Sequence, residues 1–398
     1  MRIDKNTTIR LGDRNIIKIK IGDNVIWEKK TVVDADYFYI ESLGDGNNIS
    51  VINKGNGNAS GVTPTLEYST DKNTWNTITF DWTSGTHTTA LPILNTGEKV
   101  YFRNDTRLFS ISFSRNISFS PSVRSNVGGD IRTLSNYLDV DSETKPQTGM
   151  FFCLFYNNKY IVDASNLRLQ YTTLADNCYG SMFQSCTSLT SVPELPATTL
   201  AYKCYSSMFY GCTSLTSAPE LPATTLANNC YQDMFNHCTS LTVSPVLPAT
   251  TLANNCYYSM FEGCSKLTTT HALPATTLTD MCYQYMFQSC NSLTSAPELP
   301  ATTLAHQCYF CMFRDCTSLT TAPELPATTL ASSCYGYMFY NCSKLNSITV
   351  YANDISATNC TNNWLFRVAS SGTFYNYGSA IYDRGPSGIP SGWTEVKS

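Results

Sequence analysis

The stretch CYSSMFYGCTSLTSAPELPATTLA, residues 204–227, decides the fold of this chain, because it returns with few changes at a fixed interval. It contains the string Leu-Pro-Ala-Thr-Thr-Leu, and copies of that string begin at Leu195, Leu221, Leu247, Leu273, Leu299 and Leu325. The interval is 26 residues at every step. A constant period of this kind indicates stacked structural units, each of which buries its apolar residues only against its neighbours.

One unit shows what each repeat is predicted to form. Its apolar residues stand four apart, which favours one face of a short helix, as at Leu226, Cys230, Met234 and Cys238. The segment that follows, up to Leu247, is too rich in proline for a helix and predicts a short strand of a parallel stack. The period lies within the roughly 20 to 29 residues of leucine-rich repeats, so we predict an α/β fold, a leucine-rich-repeat-type solenoid of about seven units with degenerate caps.

The 17 cysteines raise the question of disulfide bonds, but their spacing favours buried packing residues. Two cysteines eight residues apart on a helix would lie about 12 Å apart, which is beyond the reach of a disulfide. The close pair Cys308 and Cys311 has no matching second pair, so it is a weak metal signal. We therefore expect packing cysteines, with no metal and no cofactor.

The full repeat, Cys-Tyr-x-x-Met-Phe-x-x-Cys-Thr-Ser-Leu-Thr-x-Ala-Pro-Glu-Leu-Pro-Ala-Thr-Thr-Leu-Ala, resembles that of the BspA-like leucine-rich repeat surface proteins. It looks closest to the versions encoded by phages and prophages of gut Bacteroidota. The resemblance extends over about residues 150–398 and includes the ending from Ser370 to Thr394. It implies adhesion and recognition, with no catalytic residues to carry over.

The first 30 residues predict a β-hairpin, because two apolar runs flank the turn Gly22-Asp23-Asn24. This hairpin loosely resembles the N-terminal segments by which phage fibre proteins dock on the virion. The alternative is that it supplies the first strands of the next domain. The apolar residues that would dock are Ile17, Ile19, Ile21, Val25, Ile26 and Trp27.

The remaining segments complete the predicted domain organisation. Residues 31–120 alternate short apolar runs with Gly, Asn and Asp turns, which predicts a small all-β domain like a sandwich. Residues 121–150 are polar and contain glycine, and we predict a connecting segment. The repeats occupy residues 151–369, and residues 370–398 form a predicted C-terminal cap.

Composition and charge exclude several classes of function. The net charge is -4 and only 14% of residues are charged, with no basic stripe, so nucleic acid is not an expected partner. No apolar run approaches the roughly 18 residues of a spanning helix, so we expect no membrane insertion. The first residues lack an apolar leader segment, which favours folding in the cytoplasm of the producing cell.

Catalytic chemistry is weakly represented. The 4 histidines, His87, His237, His271 and His306, have neither metal nor triad spacing. Glutamates at one repeat position would lie about 5 Å apart on neighbouring strands, a separation that retaining glycosidases use. A repeat, however, places them in the same environment, whereas an acid and a nucleophile need different ones. We predict a solvated row and no enzyme; its members are Glu194, Glu220, Glu298 and Glu324.

The second, third, sixth and seventh residues after the first Cys of each unit vary most, and they are predicted to lie on the outer face. Aromatic residues there could stack on sugars or on a protein. The alternative is neutral variation on a solvated surface. The predicted binding face comprises Tyr210, Tyr258, Tyr285, Phe310, Arg314, Tyr337 and Tyr340, with Gln232, Asp233 and His237 among the polar neighbours.

These features lead to one hypothesis and two alternatives. We predict a fibre-like virion protein that folds in the host cytoplasm, and by analogy with fibres we expect a homotrimer. Residues 1–30 would attach it to other virion proteins, and the repeats would recognise a bacterial surface glycan or protein. The alternatives are an exported adhesin on the bacterial cell surface and a purely structural decoration protein of the virion.

Overall fold

The computed structural model describes residues 36–55, 65–80, 85–104, 116–136 and 144–397, and the backbone of four short strands between residues 10 and 28. This part of the chain contains seventeen strands and one helix: β1 Arg10–Leu11, β2 Arg14–Asn15, β3 Lys18–Ile21, β4 Asn24–Glu28, β5 Phe38–Ser42, β6 Ser50–Gly55, β7 Thr65–Ser69, β8 Asn76–Thr79, β9 Gly85–Ala90, β10 Lys99–Arg103, β11 Asn116–Ser120, β12 Ser125–Asp130, α1 Thr133–Asn136, β13 Ile161–Arg168, β14 Thr321–Leu325, β15 Ser347–Val350, β16 Gly372–Asn376 and β17 Trp393–Lys397.

Two sheets face each other in the part before the repeats. One has the strand order β13-β12-β5-β10-β7-β8, and the other has the order β11-β6-β9. Burial alternates along β5 because one face of the strand points into the core. The rings of Phe38 and Phe102 from the first sheet lie 5.3 Å and 4.7 Å from the ring of Phe119 in the second. This packing agrees with the predicted all-β, sandwich-like domain.

The segment 121–150, which we predicted as a connection, contributes a strand to the larger sheet. Strand β12 pairs antiparallel with β5 and parallel with β13. Its glycines favoured a connection, but they allow close packing instead: a Cβ at Gly128 would collide with the Tyr39 ring, and one at Gly129 with the Tyr37 carbonyl. The repeats therefore continue the sheet of the preceding domain.

The helix-like segment of each repeat is a run of β-turns. The Met208 N–H donates to the Tyr205 carbonyl at 3.1 Å, which closes a turn, whereas the Phe209 N–H donates to the Met234 carbonyl of the next repeat at 3.0 Å. The third residue of that turn, Ser207, has a φ of 55°, and Gly211 has 69° four residues later. Positive φ at this position is what a type II turn requires.

The helices of the predicted α/β fold class are therefore wrong, whereas the predicted stacked repeats are present. In the described residues α1 is the only helix, with four residues, and each repeat is a coil of turns and short extended segments. The error has a physical cause. Each turn contains one left-handed residue and the turns recur every four residues, so their apolar residues have the same spacing as those on one face of a helix. The Ser, Asn and Gly residues at the positive-φ positions were the available signal.

The predicted parallel strands are mostly single bridges between neighbouring coils, such as Val243 to Thr269 and Ser295 to Thr321. Proline in this segment removes the N–H groups that a continuous ladder needs. A regular parallel sheet, β14-β15-β16-β17, forms at the C-terminal end, where β15 (Ser347–Val350) has no proline.

Two inner columns of parallel rings form the core of the repeats. Their centroids are 5.1–6.1 Å apart and their planes differ by 3–19°. Trp364 and Tyr382 continue the Tyr column at its C-terminal end. The Tyr column contains Tyr179, Tyr205, Tyr231, Tyr257, Tyr283, Tyr309 and Tyr335, and the Phe column contains Phe155, Phe183, Phe209, Phe235, Phe261, Phe287, Phe313 and Phe339.

The cysteines pack between these columns as free thiols, and all except Cys153 are buried. The second cysteine of a repeat donates its S–H to a carbonyl of the preceding coil, as from Cys212 to Phe183 at 3.1 Å. The same contact recurs along the array. Burial of the repeat cysteines is thus confirmed, and each of these thiols also satisfies a main-chain acceptor.

Candidate binding face of the repeats

The outer panel consists of the second, third, sixth and seventh residues after the first Cys of each coil. The run of turns directs the Cys, Tyr, Met and Phe positions inward, and most residues at these four positions are partly exposed. The structure places the predicted binding residues there, where each is partly buried: Tyr210, Tyr258, Tyr285, Phe310, Arg314, Tyr337 and Tyr340.

Most of these rings touch one another across consecutive coils. The Tyr258 and Tyr285 centroids are 5.4 Å apart at 77°, Tyr285 and Phe310 are 5.8 Å apart at 89°, and Phe310 and Tyr337 are 5.7 Å apart at 66°. Tyr337 then meets Tyr340 at 5.8 Å. We call the contiguous surface formed by these rings and by Phe366 the aromatic strip.

The strip ends at Phe366, which sequence reasoning missed. Its ring lies 5.3 Å from that of Tyr340. Phe366 is the sixth residue after Cys360, as Tyr340 is the sixth after Cys334, so the repeat register could have identified it. The last unit carries Trp-Leu in place of Met-Phe, which makes the position of Phe366 in the repeat harder to recognise.

The edge-on geometry follows from the positions of the rings. Tyr258 and Phe310 are second residues of their coils, whereas Tyr285 and Tyr337 are third residues. Rings at one position would stack in parallel as the inner columns do, but alternation turns each ring against the edge of the next. The third position also imposes positive φ, 58° at Tyr285 and 53° at Tyr337, which disfavours a bulky side chain.

The structure does not bring every predicted residue into the strip. The Tyr210 ring lies apart and contacts His237 at 5.9 Å. The Arg314 guanidinium does belong to the strip, because it lies 5.1 Å from the Tyr340 ring centroid. Its Nε is 3.3 Å from Asp315 Oδ2.

A polar cluster adjoins the strip at its N-terminal end. Asn236 Nδ2 donates to Asp233 Oδ1 at 3.0 Å and to Glu262 Oε2 at 3.4 Å, and Gln288 Nε2 donates to Glu262 Oε1 at 2.9 Å. Burial raises the pKa of Asp233 in spite of its amide partners. Burial, reinforced by Tyr285, raises the pKa of the neighbouring Tyr258 to about 12. The polar cluster comprises Gln232, Asp233, Asn236, Glu262, Gln284 and Gln288.

The row of glutamates has the features of a solvated surface. Glu194 and Glu220 are exposed and border a groove of 640 Å³ between two coils, with Pro193 and Pro219. Glu298 and Glu324 are exposed as well. All four carboxylates of the row are thus solvated, and the Tyr351 hydroxyl also donates to Glu324 Oε2 at 3.5 Å.

Within the described ranges, no three His, Cys, Asp or Glu side chains are grouped as a metal site, and no helix has the length and apolarity to cross a membrane. Ile17 lies outside the described residues. The other five proposed docking residues lie in β3 and β4, which pair antiparallel with Ile19 opposite Trp27, and only their backbone is described.

Stacked 26-residue coils with buried Leu, Cys and aromatic columns define a repeat protein of the leucine-rich class. A family model for the BspA-type leucine-rich repeat region matches six copies over residues 165–294 and 281–371, which is more than half of the chain. The chain belongs to this family, whose repeats indicate a surface or adhesin-like protein. No curated protein and no solved structure matches the chain.

Proposed function

We propose that this chain is a non-enzymatic recognition protein whose repeats form a solenoid that presents the aromatic strip to a bacterial surface. One observation carries the proposal: the strip is contiguous across five coils and lies on the side of the repeats that the core does not use. A contiguous partly exposed apolar surface with a polar border is typical of an interaction site.

The repeats themselves show that the fold does not require these rings. The position of Tyr258 and Phe310 is occupied by Gly180, Ser206 and Gly336 in other coils. The coils keep the same backbone with either kind of residue, since the bonds between them are made by main-chain groups. The rings therefore add surface without completing the core, which favours a role in binding.

Binding of the fluorescently labelled full chain to bacterial cells tests this proposal. The variant combines Tyr285→Asn, Phe310→Ser and Tyr337→Asn, residues that the chain itself carries at the same positions in Asn363 and Ser206. We expect at least a tenfold loss of cell binding. The matched control is Tyr202→Ala, because Tyr202 is 44% exposed and lies outside the strip. Equal binding by the triple variant and the control would sink the proposal.

The finer part of the proposal is that the protein is a fibre-like component of a phage virion, attached through residues 1–30. The antiparallel pair β3–β4 supports a separate N-terminal hairpin, and the pairing of β12 with β13 joins the repeats to the preceding sheet. Deletion of residues 1–30 is expected to remove the protein from purified particles. Normal incorporation of the shortened chain would contradict the docking role, and absence of the intact chain from particles would favour a cell-surface adhesin.

A further inference from the structure

The polar cluster holds hydrogen-bond acceptors that its own donors do not reach. Asn236 Nδ2 is shared between two carboxylates, and Gln288 Nε2 is bonded to Glu262. The Oε1 atoms of Gln284 and Gln288 have no hydrogen-bond partner in the described part of the chain, although both atoms are buried. Leaving a buried acceptor unpaired costs about 1–3 kcal/mol, so this arrangement lacks a donor.

The position of Gln284 connects these acceptors with the strip. The residue is only 6% exposed. It is the second residue after Cys282, so it occupies the panel position that Tyr258 has one coil earlier and Phe310 one coil later. Gln284 therefore stands between two ring-bearing positions of the strip. A ligand at this place must donate hydrogen bonds and also cover apolar ring surface.

The charges around the central ring favour a neutral ligand. Burial is the main cause that raises the pKa of Tyr285; Cys311 and Glu262 act in the same direction, whereas the side chains of Gln284 and Arg314 act against it. Charges of opposite sign thus flank this ring. An ammonium group would meet Arg314, and a carboxylate would meet Glu262, whereas a hydroxyl group meets no like charge.

We propose that this part of the outer panel is a subsite for a neutral carbohydrate, an inference that rests on the proposed function and names its ligand class. On binding, the Gln284 and Gln288 side chains turn their buried oxygens outward and accept hydrogen bonds from hydroxyl groups of the sugar, while the C–H face of the sugar ring lies on Tyr285. Sugars combine these two properties, since each ring carries hydroxyl donors around an apolar face.

Titration of the full chain with defined probes tests the subsite. The probes are neutral hexasaccharides of glucose, xylose, mannose and N-acetylglucosamine, and hexalysine as a cationic peptide. We expect at least one neutral hexasaccharide to bind. Gln284→Leu, which keeps the volume and removes the acceptor, should raise its Kd at least tenfold. Tyr285→Asn should have a similar effect, whereas Tyr202→Ala should leave the Kd within twofold of the original chain.

Two results would overturn the inference, and each of them can be told apart from failure of the proposed function. Failure of all four hexasaccharides to bind, while the triple variant of the strip still loses cell binding, rejects the carbohydrate and keeps the recognition face. Binding of hexalysine that weakens from 50 to about 500 mM salt, with no sugar bound, assigns the site to a cationic protein group. If Gln284→Leu lowers the temperature of thermal unfolding, Tyr258→Ser takes its place as the test variant. Tyr258→Ser should likewise raise the Kd at least tenfold.

Discussion

The inner columns and the aromatic strip are both rows of rings on the same repeats, and their geometry differs completely. Inside, Phe235 and Phe261 stack with planes 3° apart, whereas outside, Tyr285 and Phe310 meet at 89°. The inner rings occupy one position in every coil, so the coil spacing determines their stacking. The rings of the strip occupy alternating positions, and the strip begins only at Tyr258. The repeat thus specifies the residues of its core and leaves the residues of its outer panel free to vary.

The largest expected effect is loss of the inner packing at high pH. Burial raises the pKa of the Cys186, Cys204 and Cys238 thiols from 9.0 to about 12. Because the folded chain holds the neutral thiol, this stability is fully present below the ordinary thiol pKa and is lost as the pH rises from about 9 towards 12. Circular dichroism melts should show a constant midpoint up to about pH 8 and unfolding of the repeats above it. A midpoint unchanged at pH 11 would contradict the burial of these thiols.

A substitution in an inner column should destabilise strongly. Phe261→Ala removes a ring that stacks on both Phe235 and Phe287, and no other side chain fills the gap. We expect a loss of about 3–5 kcal/mol in the free energy of unfolding, measured by denaturant titration. A loss below about 1 kcal/mol would show that the columns do not carry the core.

The cysteine between the columns should have an intermediate effect. Cys264→Ala deletes a buried thiol and its bond to the Phe235 carbonyl, 3.1 Å away. The expected cost is about 1–2 kcal/mol, from lost packing and one weak hydrogen bond. The original chain should melt at the same temperature with and without reductant. A midpoint that falls in reductant alone would indicate disulfide bonds that contribute to stability.

The smallest effect on stability is expected in the strip. Tyr285→Asn loses ring contacts but places a residue that tolerates positive φ at a position whose φ is 58°. The two contributions oppose each other, so the free energy of unfolding should stay within about 0.5 kcal/mol. Binding to bacterial cells should fall in the same variant. A large destabilisation would mean that the strip belongs to the core, and the contrast between inside and outside would no longer hold.

Sequence reasoning reached the parts of the molecule that depend on period alone. The 26-residue interval predicted stacked units, and the positions of Cys, Met and Phe within the unit predicted burial, as at Cys264 and Met260. The same register placed Tyr258 and Tyr337 at the surface. It did not predict that their rings would meet, because edge-to-face contact depends on the exact offset between neighbouring coils.

Two features lay beyond the pattern for physical reasons. A step of four residues is common to a helix and to a run of β-turns, and only the hydrogen bonds to the next coil decide between them. The glycines of β12 indicate a connecting segment by pattern, because their close approach to Tyr37 and Tyr39 depends on residues about ninety positions away in the sequence. Both features are decided by long-range partners.

By itself, the sequence determined that the chain is a repeat protein with a periodic apolar core and a variable surface, because period and residue type are local properties. Three further features depend on contacts between coils. The coils are built from turns, and their thiols donate to carbonyls of the preceding coil. Separated tyrosines form one strip beside Gln284, whose Oε1 atom is unpaired. Those properties arise when coils 26 residues apart come into contact, and the stacking of one coil on the next sets their geometry.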